Sequence, residues 1–140
     1  MEFALADAAC VARFDKGEII PDRLTDFARE QKWLSAYITG IGAVKDVTLA
    51  YFDLEQKKYL EFQVDGVVEL LALNGNLSIL NDKPFWHLHA IVGDRQGNVR
   101  GGHIVHLEVA ITLECWIRTS SIYLHREPDS LTNLNLLKLK

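Results

Sequence analysis

Apolar and polar residues alternate along most of this chain, and one segment departs from that rhythm. In "PDRLTDFAREQKW" (21–33) Leu24, Phe27 and Ala28 recur at i, i+3 and i+4, which predicts an amphipathic helix with Pro21 at its first position and a solvated charged face. Before it, "CVARFDKGE" predicts a strand ending in a turn at Lys16–Gly17. After it, "LSAYITGIGAV" predicts a strand that closes on the glycine turn Gly40-Ile41-Gly42. That turn has no third glycine, and another strand follows it instead of a helix. It therefore fails the context of a dinucleotide-binding loop and is read as a tight strand-to-strand turn.

From there strand follows strand: "VKDVTLAYF", "KYLEFQV", "VVELLALNGNLSIL", "PFWHLHAIV", "GGHIVHLEVAITLECWI" and "SSIYLHRE". The separators "DLEQKK", "DG", "NDKP" and "DRQGN" carry turn chemistry. With no repeat and no linker, residues 1–140 are read as one α+β domain, a mostly antiparallel sheet flanked by one or two helices, the second near the tail.

Within "PFWHLHA" (84–90), strand alternation points His87 and His89 to the same side, with Phe85 and Ile91. Trp86, Leu88, Ala90 and Val92 take the other side, which predicts a central strand covered on both faces. A hairpin symmetric about Gln96 sets paired residues to sum to 192, so His89 stands opposite His103 and His87 opposite Val105. A bulge at Gly101–Gly102 would shift this register by one. On the following strand the odd positions, from His103 to Ile117, read as the buried face, and His106 falls on the polar one. His87, His89 and His103 therefore meet on one face as candidate metal ligands.

Three neutral imidazoles suit Zn²⁺ and leave a fourth position open, with nickel, copper or iron as alternatives. The competing reading makes each histidine a hydrogen-bonded core residue. Glu69 is the best acidic partner for the ligands. His125 is expected at the surface, and nothing specific supports Cys115 as a nucleophile.

Composition narrows the setting. Cys10 and Cys115 are the only cysteines and form no CxxC pair, which suits a reduced, cytoplasmic protein. "MEFALADAACVA" lacks a basic start and is broken by Asp7, so it is not read as a signal peptide, and no apolar run is long enough to span a membrane. The net charge is −4 and the pI about 5.7, with small basic clusters only at Lys57–Lys58 and the terminal "LKLK". That balance argues against autonomous nucleic-acid binding.

The segments "RFDKGE" (13–18), "ITGIGAVKDVTLAYFD" (38–53), "ELLALNGNLS" (69–78), "PFWHLHAIVGD" (84–94) and "GGHIV" (101–105) together resemble the plants and prokaryotes conserved (PPC) domain family, in its stand-alone prokaryotic form. The resemblance runs from about residue 10 to the tail. It implies an antiparallel sheet flanked by helices, a homotrimer, and a metal on the residues matching His87, His89 and His103. In plants such domains follow AT-hook segments in nuclear, DNA-associated proteins, so a DNA or DNA-bound protein partner is implied as well. This chain has no Arg-Gly-Arg AT-hook core, and it carries Leu107 where many members have a small residue.

Three functions follow as expectations. The first is a trimeric metal-binding module with a DNA-associated or partner-recruiting role. The second is a metal-dependent hydrolase or lyase using the open metal position on a small molecule. The third is a structural domain with core histidines.

Overall fold

The computed structural model describes residues 1–139, so Lys140 of the basic tail cluster lies outside the described residues. The strands are β1 (Glu2–Ala6), β2 (Ala9–Asp15), β3 (Ile19–Ile20), β4 (Ser35–Asp53), β5 (Lys58–Val64), β6 (Val68–Leu80), β7 (Lys83–Gly93), β8 (Val99–Ser120), β9 (His125–Pro128) and β10 (Asn135–Lys138). One helix, α1 (Asp22–Glu30), lies between β3 and β4. Pro21 occupies its N-cap, one position earlier than predicted, and the helix stops short of the "QKW" end of the periodic segment. Leu24, Phe27 and Ala28 are buried as their spacing requires. Where a second helix was expected near the tail, β9 and β10 form an antiparallel hairpin.

Long strands organise the sheet. β4 pairs with β8 along one edge and with β6 and β5 along the other, β6 pairs with β7, and β7 pairs back onto β8. The circuit β4–β6–β7–β8 is thus closed, and β2 and β3 extend it from the free part of β8. Among the described residues all ladders are antiparallel except the link of β6 to β9 through Ile79 and His125, so the sheet is mixed. One continuous core fills it, including Phe14, Ile38, Leu49, Leu73, Leu88 and Leu113. α1 is tied to this core by the Trp86 indole, whose Nε1 donates to the Leu24 carbonyl at 3.1 Å.

The expected turn at Gly40-Ile41-Gly42 is instead the middle of β4, which runs unbroken for 19 residues. The pairing register shifts there on both edges of the strand. A Cβ at Gly42 would overlap the Thr112 carbonyl of β8, so glycine permits a close backbone approach at a bend.

Candidate metal centre

The register on β7 and β8 follows the predicted sum of 192, from Gly93–Val99 down to His89–His103. Asp94 stabilises the connecting turn by accepting from the backbone N–H groups of Gln96 and Asn98, both at 2.9 Å. The ladder ends at His89–His103, so His87 has no partner on β8; its approach to His103 is by side chain. Across β7 the neighbours are on β6, where Asn76 pairs with His87 and Asn74 with His89. A Cβ at Gly75, between these asparagines, would overlap the His87 carbonyl.

Two expectations about burial are corrected. Trp86, Leu88, Ala90 and Val92 are buried as expected, but Phe85 and His87 are half-buried, and His89 and Ile91 are exposed. The histidine face of β7 opens to solvent. On β8 the odd positions form the buried face only from Leu107 onward, and even there Ile111 is exposed. Ile104 is buried and Val105 exposed. The cause is a bulge, because Leu49 pairs with Ile104 while Thr48 pairs with His106, so one step on β4 matches two on β8. His103 therefore faces outward, on the side of the sheet opposite the core. The bulge falls beyond Gly101–Gly102, so the predicted His89–His103 pair is present, whereas the predicted pairing of His87 with Val105 is not formed.

The three imidazoles converge. His87, His89 and His103 each offer a ring nitrogen within 4.8 Å of the other two. The Nε2 atoms of His87 and His89 are 3.2 Å apart. Two nitrogens bound tetrahedrally at the usual zinc distance would stand about 3.3 Å apart. Nδ1 of His103 is buried without a hydrogen-bond partner, a donor or acceptor that the protein leaves unsatisfied. Burial pushes the His87 pKa down to about 4, helped by the charge of Arg126 and by the other two histidines. Burial likewise lowers that of His103, with His89 and Arg126 adding to the effect. Both rings are thus neutral at neutral pH, the state in which an imidazole has a lone pair to give. This donor set fits a divalent transition metal.

Residues remote in sequence complete the surroundings. Tyr59 of β5 stacks on His103 with centroids 4.7 Å apart, and Phe52 packs on Tyr59 edge to face. An open depression of about 690 Å³ lies over the histidines, walled by Tyr51, Phe52, Tyr59, Asn74 and Ile91. Arg126 of β9 lies over the Phe85 ring, 5.2 Å from its centroid, and donates to Ser78 Oγ and Asn76 Oδ1. Sequence reasoning missed Tyr59 and Arg126, which no local pattern marks. The polar "NGN" (74–76) inside an apolar strand was a usable signal for the asparagines beside the histidines.

The other singled-out residues lie elsewhere. His106 pairs with Thr48 and stays out of the cluster. Glu69 is exposed at the Gly93 end of the β6–β7 ladder and makes no hydrogen bond to the histidines among the described residues. His125 is partly exposed, stacked on Tyr123 and 3.3 Å from Glu127. Cys115 is fully buried, and burial, with Cys10 nearby, pushes its thiol up to about 12. That is the opposite of what a nucleophile needs.

Comparison with known proteins agrees with this architecture. The pattern of the Plants and Prokaryotes Conserved (PCC) domain matches residues 1–121. A plant- and prokaryote-conserved protein from Pyrococcus horikoshii is 30% identical, with 99% of this chain and 96% of that one covered at a TM-score of 0.87. A metal-containing protein from Archaeoglobus fulgidus is 31% identical, with coverage of 99% and 97% and a TM-score of 0.87. A candidate DNA-binding protein from Bacteroides thetaiotaomicron is 25% identical, with coverage of 98% and 96% and a TM-score of 0.94. No curated protein matches the chain.

Proposed function

Since the chain belongs to the plants and prokaryotes conserved domain family, we propose that it is a homotrimeric metal-binding module that holds one divalent ion, zinc foremost, on His87, His89 and His103, and that its role is partner recruitment. The observation that carries this reading is the convergence of three imidazoles whose ring nitrogens lie within one ion's reach. A core explanation of the histidines is disfavoured, because their face is open and His103 Nδ1 lacks a partner. The metal-containing relative supports the same assignment.

Self-association is supported by an apolar strip on the outer face of β2, β4 and β8. Val11 pairs with Trp116, itself opposite Thr39, while Tyr37 and Ile41 lie on the same face of β4. Trp116 is 62% exposed and Ile41 59%. A stoichiometry of three rests on the family resemblance. A DNA-associated role is supported by the Bacteroides thetaiotaomicron protein described as a candidate DNA-binding protein. The acidic balance and missing AT-hook favour association through a DNA-bound protein over direct contact. We assign a cytoplasmic location from the two free, buried cysteines. No helix among the described residues is long and apolar enough to cross a membrane.

Metal analysis tests the core of the proposal. Purified protein should carry about one metal per chain, lost in His87→Ala, His89→Ala or His103→Ala and retained in His106→Ala. Normal folding with no zinc uptake on titration would sink it. A second reading, a metal-dependent hydrolase or lyase, is favoured by the open depression over the histidines. A bound zinc there would supply Lewis-acid activation of water or substrate.

A further inference from the structure

Arg126 is held as a charged group with a task beyond the sheet. Its Nε donates to Ser78 Oγ at 2.9 Å, Nη2 to Asn76 Oδ1 at 3.0 Å and Nη1 to the Asn135 carbonyl at 3.0 Å. All three acceptors are neutral. Among the described residues no carboxylate pairs with Arg126, and the adjacent Glu127 is engaged by His125 and Lys138. A guanidinium has five N–H donors, so two remain free.

Its position matters. Asn76, which accepts from Arg126, is the direct ladder partner of His87. Phe85, over which the guanidinium lies, is two residues before His87 on the same strand face. The histidine cluster contains no acidic residue. A divalent ion on these histidines would therefore lie within the field of the Arg126 charge, which already acts on His87, and among the described residues no carboxylate joins the cluster or pairs with Arg126. Like charges so placed repel, and the repulsion weakens metal binding unless an anion joins them. Two of the three hydrogen bonds fasten β9 to β6 and the third holds β10, but all go to neutral acceptors and leave the charge itself unbalanced.

We propose that Arg126 and the three-histidine centre together bind the oxyanion of a small molecule, a carboxylate or a phosphate, which neutralises the guanidinium and takes the coordination position the imidazoles leave open. This rests on the metal-binding reading above. Arg126 lies beyond residues 1–121, the part of the chain that matches the family pattern.

The test uses the full chain loaded with Co²⁺, whose visible absorption reports changes in its ligands. Acetate and inorganic phosphate are titrated separately into wild type, Arg126→Gln and Arg126→Lys. Wild type should respond to at least one anion, and whichever binds identifies carboxylate or phosphate chemistry. Arg126→Gln should bind that anion at least about tenfold more weakly, as expected for loss of a charge-assisted hydrogen bond. Its Co²⁺ affinity in anion-free buffer should be unchanged or tighter, whereas a merely structural arginine would weaken metal binding on removal. Arg126→Lys, which keeps the charge, should recover part of the anion affinity. Equal anion affinity in wild type and Arg126→Gln would overturn the proposal. So would a cobalt-loaded wild type that responds to neither anion, a result that needs no variant to fold. Failure of wild type to take up Co²⁺ at all would instead remove the metal centre and, with it, this inference.

Discussion

The Tyr59 ring lies stacked on the His103 imidazole, with centroids 4.7 Å apart and planes inclined by 26°. Tyr59 reaches this position because β5 pairs with the far end of β4, where Phe52 and Tyr59 are partners, while Ala50 of the same strand pairs with His103. The stack restrains the one ring of the three that has a buried, unpartnered nitrogen. Tyr59→Ala should therefore weaken zinc binding about tenfold, the lower end of what losing a ligand's supporting contact costs. Tyr59→Phe keeps the stacking surface and should stay near wild type. Zinc competition titrations of both variants check this, and equal loss in both would assign the effect to the hydroxyl instead.

Gly75 predicts a packing effect at the same site. A Cβ there would overlap the His87 carbonyl and press on the Leu88 side chain. Gly75→Ala should destabilise the fold by about 1–3 kcal/mol, the usual range for overpacking, although alanine is ordinarily no worse than glycine in a strand. Urea denaturation monitored by tryptophan fluorescence measures it; an unchanged midpoint would show that β6 and β7 can separate locally at no cost.

The depressed His87 pKa has a definite pH signature in metal-free protein. The folded state binds this proton only near pH 4, whereas the unfolded chain binds it near 6.5. Between those values the unfolded state holds more protons, so stability rises with pH through this window and falls on acidification. His87→Asn should flatten that part of the stability-versus-pH curve. Denaturation midpoints at several pH values from 4 to 7, for both proteins without metal, provide the comparison; parallel curves would refute it.

Trp116 probes assembly. It stands 62% exposed in the apolar strip, opposite Val11 on one side and Thr39 on the other. Under the proposed trimer, Trp116→Glu should shift the protein toward monomer in sedimentation or light scattering, since the cores of such contacts are depleted of charge. Glu55→Lys, in the β4–β5 turn, is the matched control and should leave assembly intact. A variant at Trp116 that remains trimeric would move the contact to another face.

Much of this was legible locally. Period-two alternation located the long strands, the spacing of Leu24, Phe27 and Ala28 located the helix, and the symmetric turn at 94–98 placed His89 opposite His103. Each depends on interactions between residues near in sequence, so a linear pattern carries it. The Gly40-Ile41-Gly42 segment misled because glycine serves both turns and close strand approaches. Only β8, packed against β4 at Gly42, makes it the latter.

What the sequence by itself determined is the strand-rich single domain and the three histidines as a set on one hairpin. Tertiary structure alone decided which way that set faces. The bulge opposite Thr48 and Leu49 reverses the sidedness of β8 between Ile104 and Leu107, turning His103 out of the core. It also decided what surrounds the cluster, bringing Tyr59 from β5 and Arg126 from β9 beside it. The physical reason is that a strand's alternation is local, whereas a bulge and the neighbours on a closed sheet depend on pairings between segments tens of residues apart.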